Sequence, residues 1–273
     1  MTTLVKRLSQ KDIPDGTLIA LFGDLHIGEH DFDAASLLVA AADREGAGVV
    51  IANGDIVNCG TVSRHPEVKA EAIRKYGELE NEVDSGREFL DWLATRGGKS
   101  YYGVGNHEDW INDVALYSGL GSTLSVRTAL SIPDSVEVLP QGYQLRIGSL
   151  AIEHGDIVLG RSSGGPNLAR NVLRRYPQQT TVVNHFHTEG YACDTTPDSS
   201  GILRSHAAYA IGHLSDPTAH HRYAGRTPNW QQGFAFIRVF YIDGKARYTV
   251  TPVQIHRTRR GMPYCEYNGH VYR

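Results

Sequence analysis

The sequence predicts an α/β fold built around parallel strands, and two observations carry that expectation. Leu18–Phe22, Val49–Ala52 and Tyr101–Val104 are short continuous apolar runs, each ending at Gly, Asn or Asp, as strands buried on both faces of a sheet do. Between the first two lies a segment of helical periodicity, and a β-α-β unit of that size implies parallel strands with a right-handed crossover. At 273 residues the chain is long enough to bury a large core and lies near the upper limit for one domain. Residues 1–273 are therefore expected to form a single domain.

The elements follow in order. After Leu18–Phe22, Asp31 or Asp33 caps a helix running to about Glu45, with Ala34, Leu37, Leu38, Ala41 and Ala42 on one face; Gly46 and Gly48 close it. The stretch from Pro66 to Arg96 is helical but very polar. Gly77 and Gly86 weaken its interior, so one kinked helix or two shorter ones on the outside satisfy it equally. Residues 110–134 hold two weak helical patterns broken by Gly119 and Gly121. After Pro133 the texture turns to strands at 136–139, 143–147 and 150–153, with Gly148-Ser149 as a hairpin turn. A basic helix (Arg170, Arg174, Arg175) precedes a strand at Thr180–Val183. Residues 190–230 read as extended surface loops, and 233–242 with 246–255 as a hairpin around Asp243-Gly244.

Composition narrows the chemistry. A net charge of -3 offers no general polyanion surface, so a phosphate ligand needs local Arg side chains or bound metal. No apolar run approaches the roughly 20 residues of a membrane helix. The apolar part of the N-terminus is too short for a secretion signal, and a cytoplasmic location is the default. Cys59, Cys193 and Cys265 are scattered without a CxxC spacing, which speaks against a disulfide framework or a thiolate zinc site; Cys59 reads as a packing residue. The 13 histidines favour nitrogen and oxygen ligands instead.

Five stretches place such ligands directly after predicted strands: Asp24-Leu25-His26, Gly54-Asp55, Gly105-Asn106-His107-Glu108, His154-Gly155 and His185-Phe186-His187. Ligands of parallel sheets gather beyond the carboxyl ends of the strands. Carboxylate, amide oxygen and imidazole together suit Mn, Fe, Zn or Ni, and a pair of such cations about 4 Å apart binds a phosphate and activates a water.

Through these five ordered motifs, over roughly residues 18–190, the sequence resembles the metallophosphoesterases, also called calcineurin-like phosphoesterases. The resemblance implies two packed mixed β-sheets flanked by helices, with the C-terminal hairpin completing the second sheet. It also implies two divalent metal ions, Mn being the one to supply in vitro. Asp24, His26 and His187 would hold the first metal, Asn106, His154 and His185 the second, and Asp55 would bridge them. His107 would touch no metal and act on the substrate as general acid or transition-state donor. One departure is visible: Asn184 stands where the family usually has Gly, a change that costs little if the backbone there is extended.

The implied activity is hydrolysis of a phosphate ester, first of all as a phosphodiesterase or nuclease acting on nucleotides or nucleic acid. Arg161 and the basic helix could receive a phosphate backbone, and Trp110, Tyr191 and Trp230 could stack bases. Trp230-Gln231-Gln232-Gly233-Phe234 looks like the corresponding part of phage-encoded members. A phosphomonoesterase acting on a nucleotide or phosphoprotein is the alternative. A non-catalytic scaffold should have lost ligands, and all eight positions are present. His30, His65, His206, His213, His220, His221, His256 and His270 read as structural or exposed, with His213 and His220 as candidates for the substrate pocket. The oligomeric state is left open.

Overall fold

The computed structural model describes residues 4–95, 100–159, 167–218 and 229–273. Its strands are β1 (Leu4–Arg7), β2 (Leu18–Phe22), β3 (Val49–Asn53), β4 (Ser100–Gly103), β5 (Val136–Leu139), β6 (Tyr143–Ile147), β7 (Leu150–Glu153) and β8 (Thr180–Val183). They continue with β9 (Gly190–Pro197), β10 (Leu203–Ala210), β11 (Gly233–Ile242), β12 (Lys245–Gln254), β13 (His256–Arg257), β14 (Pro263–Tyr267) and β15 (His270–Tyr272). The α-helices are α1 (Phe32–Arg44), α2 (Pro66–Tyr76), α3 (Leu79–Asp84), α4 (Arg87–Thr95), α5 (Asp109–Tyr117), α6 (Val126–Ala129), α7 (Asp156–Leu159) and α8 (Leu168–Arg175). No helix among the described residues is long and apolar enough to cross a membrane.

Two mixed six-stranded sheets pack face to face, in the orders β12-β11-β2-β3-β4-β5 and β1-β6-β7-β8-β10-β9. Every residue of β2, β3, β4, β7 and β8 is buried, which is why these strands read as unbroken apolar or small-residue runs. Their alternation still matters. Ile19, Leu21, Val49, Ile51 and Tyr101 face the other sheet and meet Leu145, Ile147, Leu150, Ile152 and Val182. Ala20, Phe22, Val50 and Ala52 point the opposite way, onto Leu37, Leu38 and Ala41 of α1. On the far side of the second sheet, Leu168, Ala169, Val172 and Leu173 of α8 cover Val183, Ala208 and Ala210. The parallel runs β2-β3-β4-β5 and β7-β8-β10 leave the carboxyl ends of the central strands side by side.

Asp31 caps α1 by accepting from the Ala34 amide at 3.1 Å. The polar stretch after Pro66 is three helices, because Gly77 at φ +77° ends α2 and Gly86 separates α3 from α4. The segment from Gly190 differs more. Residues 190–210, expected as loops, form the antiparallel pair β9-β10 at the edge of the second sheet. Much of that pair is exposed on both faces, so its Thr, Ser and Ala residues carry no apolar alternation. The edge strand β1 also escapes the hydrophobic pattern: Leu4 and Val5 are 51% and 41% exposed and are held by parallel pairing with β6. The hairpin β11-β12, expected to complete the second sheet, instead joins the first, antiparallel to β2, and β13-β14-β15 form a small sheet whose Cys265 and Tyr272 pack in the cluster that includes α1.

Candidate metal centre

Turns off five strands bring all eight predicted side chains together. Asp24 and His26 follow β2, Asp55 follows β3, Asn106 and His107 follow β4, His154 follows β7, and His185 and His187 follow β8. The local backbone is strained. Of nine non-glycine residues with positive φ among the described residues, five are Asp24, His26, Asp55, His185 and His187, with φ from 51° to 72°. A left-handed turn costs such a residue about 1 kcal/mol or more and persists only where the surroundings impose it, typically at functional sites.

Ligand atoms of Asp24, His26 and His187 lie within 4.8 Å of one another, as do those of Asp55, His154 and His185. In the first group, His187 Nε2 is 3.3 Å from both Asp24 Oδ1 and His26 Nε2; in the second, His154 Nε2 is 3.2 Å from Asp55 Oδ2. Atoms sharing one cation at about 2.1 Å sit roughly 3.0–3.4 Å apart. Asn106 Oδ1 and His185 Nδ1 are buried with no hydrogen-bond partner among the described residues, and Asp24 Oδ1 and His154 Nε2 have only ion-pair contacts. Buried polar atoms are rarely left so, and a donor set of carboxylate, amide oxygen and imidazole fits divalent cations.

The supporting contacts aim these atoms inward. Asp24 Oδ2 accepts from the His185 amide at 2.8 Å and Asp55 Oδ1 from the His107 amide at 2.9 Å, leaving the other oxygen of each carboxylate toward the cluster. Three imidazoles are fixed through Nδ1: His154 to the Asn53 carbonyl (2.8 Å), His26 to Asn58 Oδ1 (3.2 Å) and His107 to the Asn58 carbonyl (2.8 Å). Each of these rings keeps Nε2 for chemistry, the usual arrangement around a metal ligand or catalytic histidine. His107 also falls within ligand distance of His26 and Asp55.

Glu108, fully buried, is the keystone that the motif alone did not reveal. Its Oε1 accepts from the amides of Ile56 (2.6 Å) and Val57 (3.0 Å) and from Tyr102 Oη (2.9 Å). Its Oε2 accepts from the amides of Asp55 (3.1 Å) and Gly105 (2.9 Å). One carboxylate thus ties the turn carrying Asp55 to the turn carrying Asn106. Gly105 is required by space rather than by turning: a Cβ there would stand 2.2 Å from Asp55 Oδ1.

Asn184 is accommodated with a compensation. Its φ is ordinary, as the sequence required, but its side chain is buried between the sheets. It accepts from Asn53 Nδ2 at 2.7 Å and donates to the Gly212 carbonyl at 3.3 Å. Room for it comes from Gly23, where a Cβ would lie 2.7 Å from Asn184 Cγ. Asn53 also donates to the Glu153 carbonyl and accepts from Tyr143, making a polar bridge directly behind His154.

Charge is concentrated here. Burial alone would raise the Asp55 pKa, but His154, His107 and His26 hold it well below the carboxylate range. Burial opposes protonation of His154, yet Asp55 outweighs it and pushes that pKa up to about 10. Burial and the charge on His154 push His185 down to about 4. A proton on His154 therefore stands where a cation would bind, and the two compete.

A cavity of about 590 Å³ opens over His26, Asp55, Asn106, His107, His185 and His187. Trp110 stands behind His107 with ring centroids 4.4 Å apart, and Trp230 beside His187 at 4.5 Å; both line the cavity. Arg64 and His65, from the turn into α2, line it too, although nothing in the motif pattern pointed to them. Of the other expected substrate contacts, Arg161 and His220 lie outside the described residues. Arg170, Arg174, Arg175 and Tyr191 do not line the cavity; Tyr191 is 60% exposed on the edge strand β9. His213 is buried, stacked on His187 at 4.8 Å, rather than in the pocket.

A family model described as calcineurin-like phosphoesterase matches residues 17–221. No curated protein matches the chain. Similar solved structures include Vps29 of Chaetomium thermophilum, 12% identical, covering 94% of this chain and 96% of that one with TM-score 0.45. Yfce, a phosphoesterase from E. coli, is 13% identical over 85% and 98% of the two chains, TM-score 0.38. Pseudomonas putida nuclease MPE is 15% identical over 80% and 83%, TM-score 0.31.

Proposed function

Since the chain belongs to the calcineurin-like phosphoesterase family, whose chemistry is metal-dependent hydrolysis of phosphate esters, we propose that it is a phosphodiesterase acting on nucleotides or nucleic acid. The observation that carries the reading is the convergence of the Asp24–His26–His187 and Asp55–His154–His185 groups beneath one cavity. Asp24, His26 and His187 would hold one divalent cation, Asn106, His154 and His185 a second, and Asp55 would serve both. Manganese is the ion to supply. When bound, the two cations polarise the phosphoryl oxygens and acidify a water enough for it to attack near neutral pH.

The chain's own groups do the rest. Glu108 ties the Asp55 and Asn106 turns together, which limits how far their ligand atoms can move apart. His107 donates Nδ1–H to the Asn58 carbonyl and is backed by Trp110, which leaves Nε2 to carry the second proton that the imidazolium form gives to the leaving oxygen or to a phosphoryl oxygen gaining charge. A cavity of about 590 Å³ with Trp110 and Trp230 in its walls is larger and more apolar than a phosphate group alone requires, which favours an ester carrying organic rings. Hydrolysis of bis-p-nitrophenyl phosphate and p-nitrophenyl phosphate in Mn²⁺, run side by side, tests the reading. Turnover of the diester at the higher kcat/KM supports it; turnover of the monoester alone makes the protein a phosphomonoesterase instead.

A further inference from the structure

Among the described residues that line the cavity, Arg64 is the one Lys or Arg, and the carboxylates are Asp55, Glu67 and Asp156. It is exposed at the cavity mouth, in the turn leading into α2, and makes no hydrogen bond or ion pair with a described residue. Beside it, His65 meets Trp110 with ring centroids 5.8 Å apart. Trp110 is only 4% exposed, and its indole N–H, buried in the wall of the same cavity, has no acceptor among the described residues. A guanidinium with no partner among the described residues, in a cavity that it shares with Trp110, Trp230 and the proposed metal ligands, is chemistry for a second anion on a ring-bearing ligand. A substrate with a single phosphate leaves it unused.

We infer that Arg64 is a specificity-determining residue that receives a second phosphate of a nucleotide substrate, the nucleoside lying along the Trp110 wall while the scissile phosphate sits at the strand-end cluster. This rests on the diesterase reading and adds to it the class of substrate: a nucleotide with another phosphoryl group beyond the bond that is cut. A further diester in a nucleic-acid chain and the distal phosphate of a nucleoside diphosphate both present that group.

The test has a binding arm and a turnover arm, both on the full chain loaded with Mn²⁺. Tryptophan fluorescence is titrated with thymidine 5′-monophosphate, thymidine 3′,5′-bisphosphate and thymidine 5′-diphosphate. The wild type is expected to bind at least one two-phosphate ligand about tenfold tighter than the monophosphate, and Arg64→Ala to bring that ratio close to one. The 3′,5′-bisphosphate winning identifies a nucleic-acid chain; the 5′-diphosphate winning identifies a pyrophosphate. In turnover, the kcat/KM ratio of 5′-phosphorylated dithymidylate over its unphosphorylated form should fall toward one in Arg64→Ala, and Arg64→Lys should recover part of it. A wild-type ratio near one in both arms, or a ratio kept in Arg64→Ala, overturns the assignment. Turnover of bis-p-nitrophenyl phosphate but of neither dinucleotide removes this inference and leaves the diesterase reading standing. Turnover of none of the three removes both.

Discussion

Replacing Glu108 by Gln is the sharpest probe of how the two central turns are held. The carboxylate accepts five hydrogen bonds, three at Oε1 and two at Oε2. A carboxamide accepts through one atom only, so its NH2 must face at least two N–H donors with nothing to give them. Hydrogen bonds to a charged acceptor are worth about 1.5–3 kcal/mol each, so losing two costs roughly 3–6 kcal/mol. Part is returned, because burial and the nearby Asp55 carboxylate push the Glu108 pKa up and disfavour its charge. A net loss of about 3 kcal/mol remains, or a fall in Tm of roughly 5–6 °C for a chain of this size. Tyr102→Phe removes one donor from the same oxygen and should cost about 1.5 kcal/mol. Differential scanning calorimetry on both variants reads this directly. A Glu108→Gln Tm within 2 °C of wild type would show that the five contacts do not hold the turns.

The pairing of Gly23 with Asn184 predicts non-additivity: Gly23→Ala should lose about 2 kcal/mol or more, and much less when combined with Asn184→Gly, measured as a double-mutant cycle in urea. Chelation by EDTA should lower Tm and added Mn²⁺ restore it in a concentration-dependent way, by about 2.7 kcal/mol at a hundredfold excess over Kd; a Tm indifferent to both would argue against a resident cation. His30 supplies a pH dependence. Burial holds its pKa below the usual value, against the pull of Glu88 and Asp31, so its folded state prefers the neutral ring. The stability this contributes is complete above about pH 6.5 and is lost as pH falls through the depressed folded value, so wild type should lose more Tm than His30→Gln between pH 7.5 and 5. Parallel pH profiles of the two proteins would contradict this.

The site was legible in the sequence because the chemistry demands particular residue types at strand ends, and β2, β3, β4, β7 and β8 are apolar or buried enough to mark where those ends fall. Glu108 was visible but its task was not: its acceptors serve amides some fifty positions earlier, a contact that periodicity cannot express. Asn184 looked like an isolated departure until the fold set it against Gly23, 161 positions away. Arg64 and His65 were hidden for a related reason, since the approach of α2 to the cavity depends on how three short helices pack. The pair β9-β10 was missed because strands half open to solvent carry no apolar alternation, and its polar residues gave the texture of a loop.

The most direct measurement is metal content and turnover determined together on wild type, Asp55→Ala and His107→Ala. Wild type should carry two divalent ions per chain and hydrolyse bis-p-nitrophenyl phosphate. Asp55→Ala should lose metal and activity together, while His107→Ala should keep its metal and lose about 10² or more in kcat. A fully loaded wild type without activity in any divalent metal would make the protein a scaffold. Unchanged turnover in His107→Ala would take that residue out of the reaction.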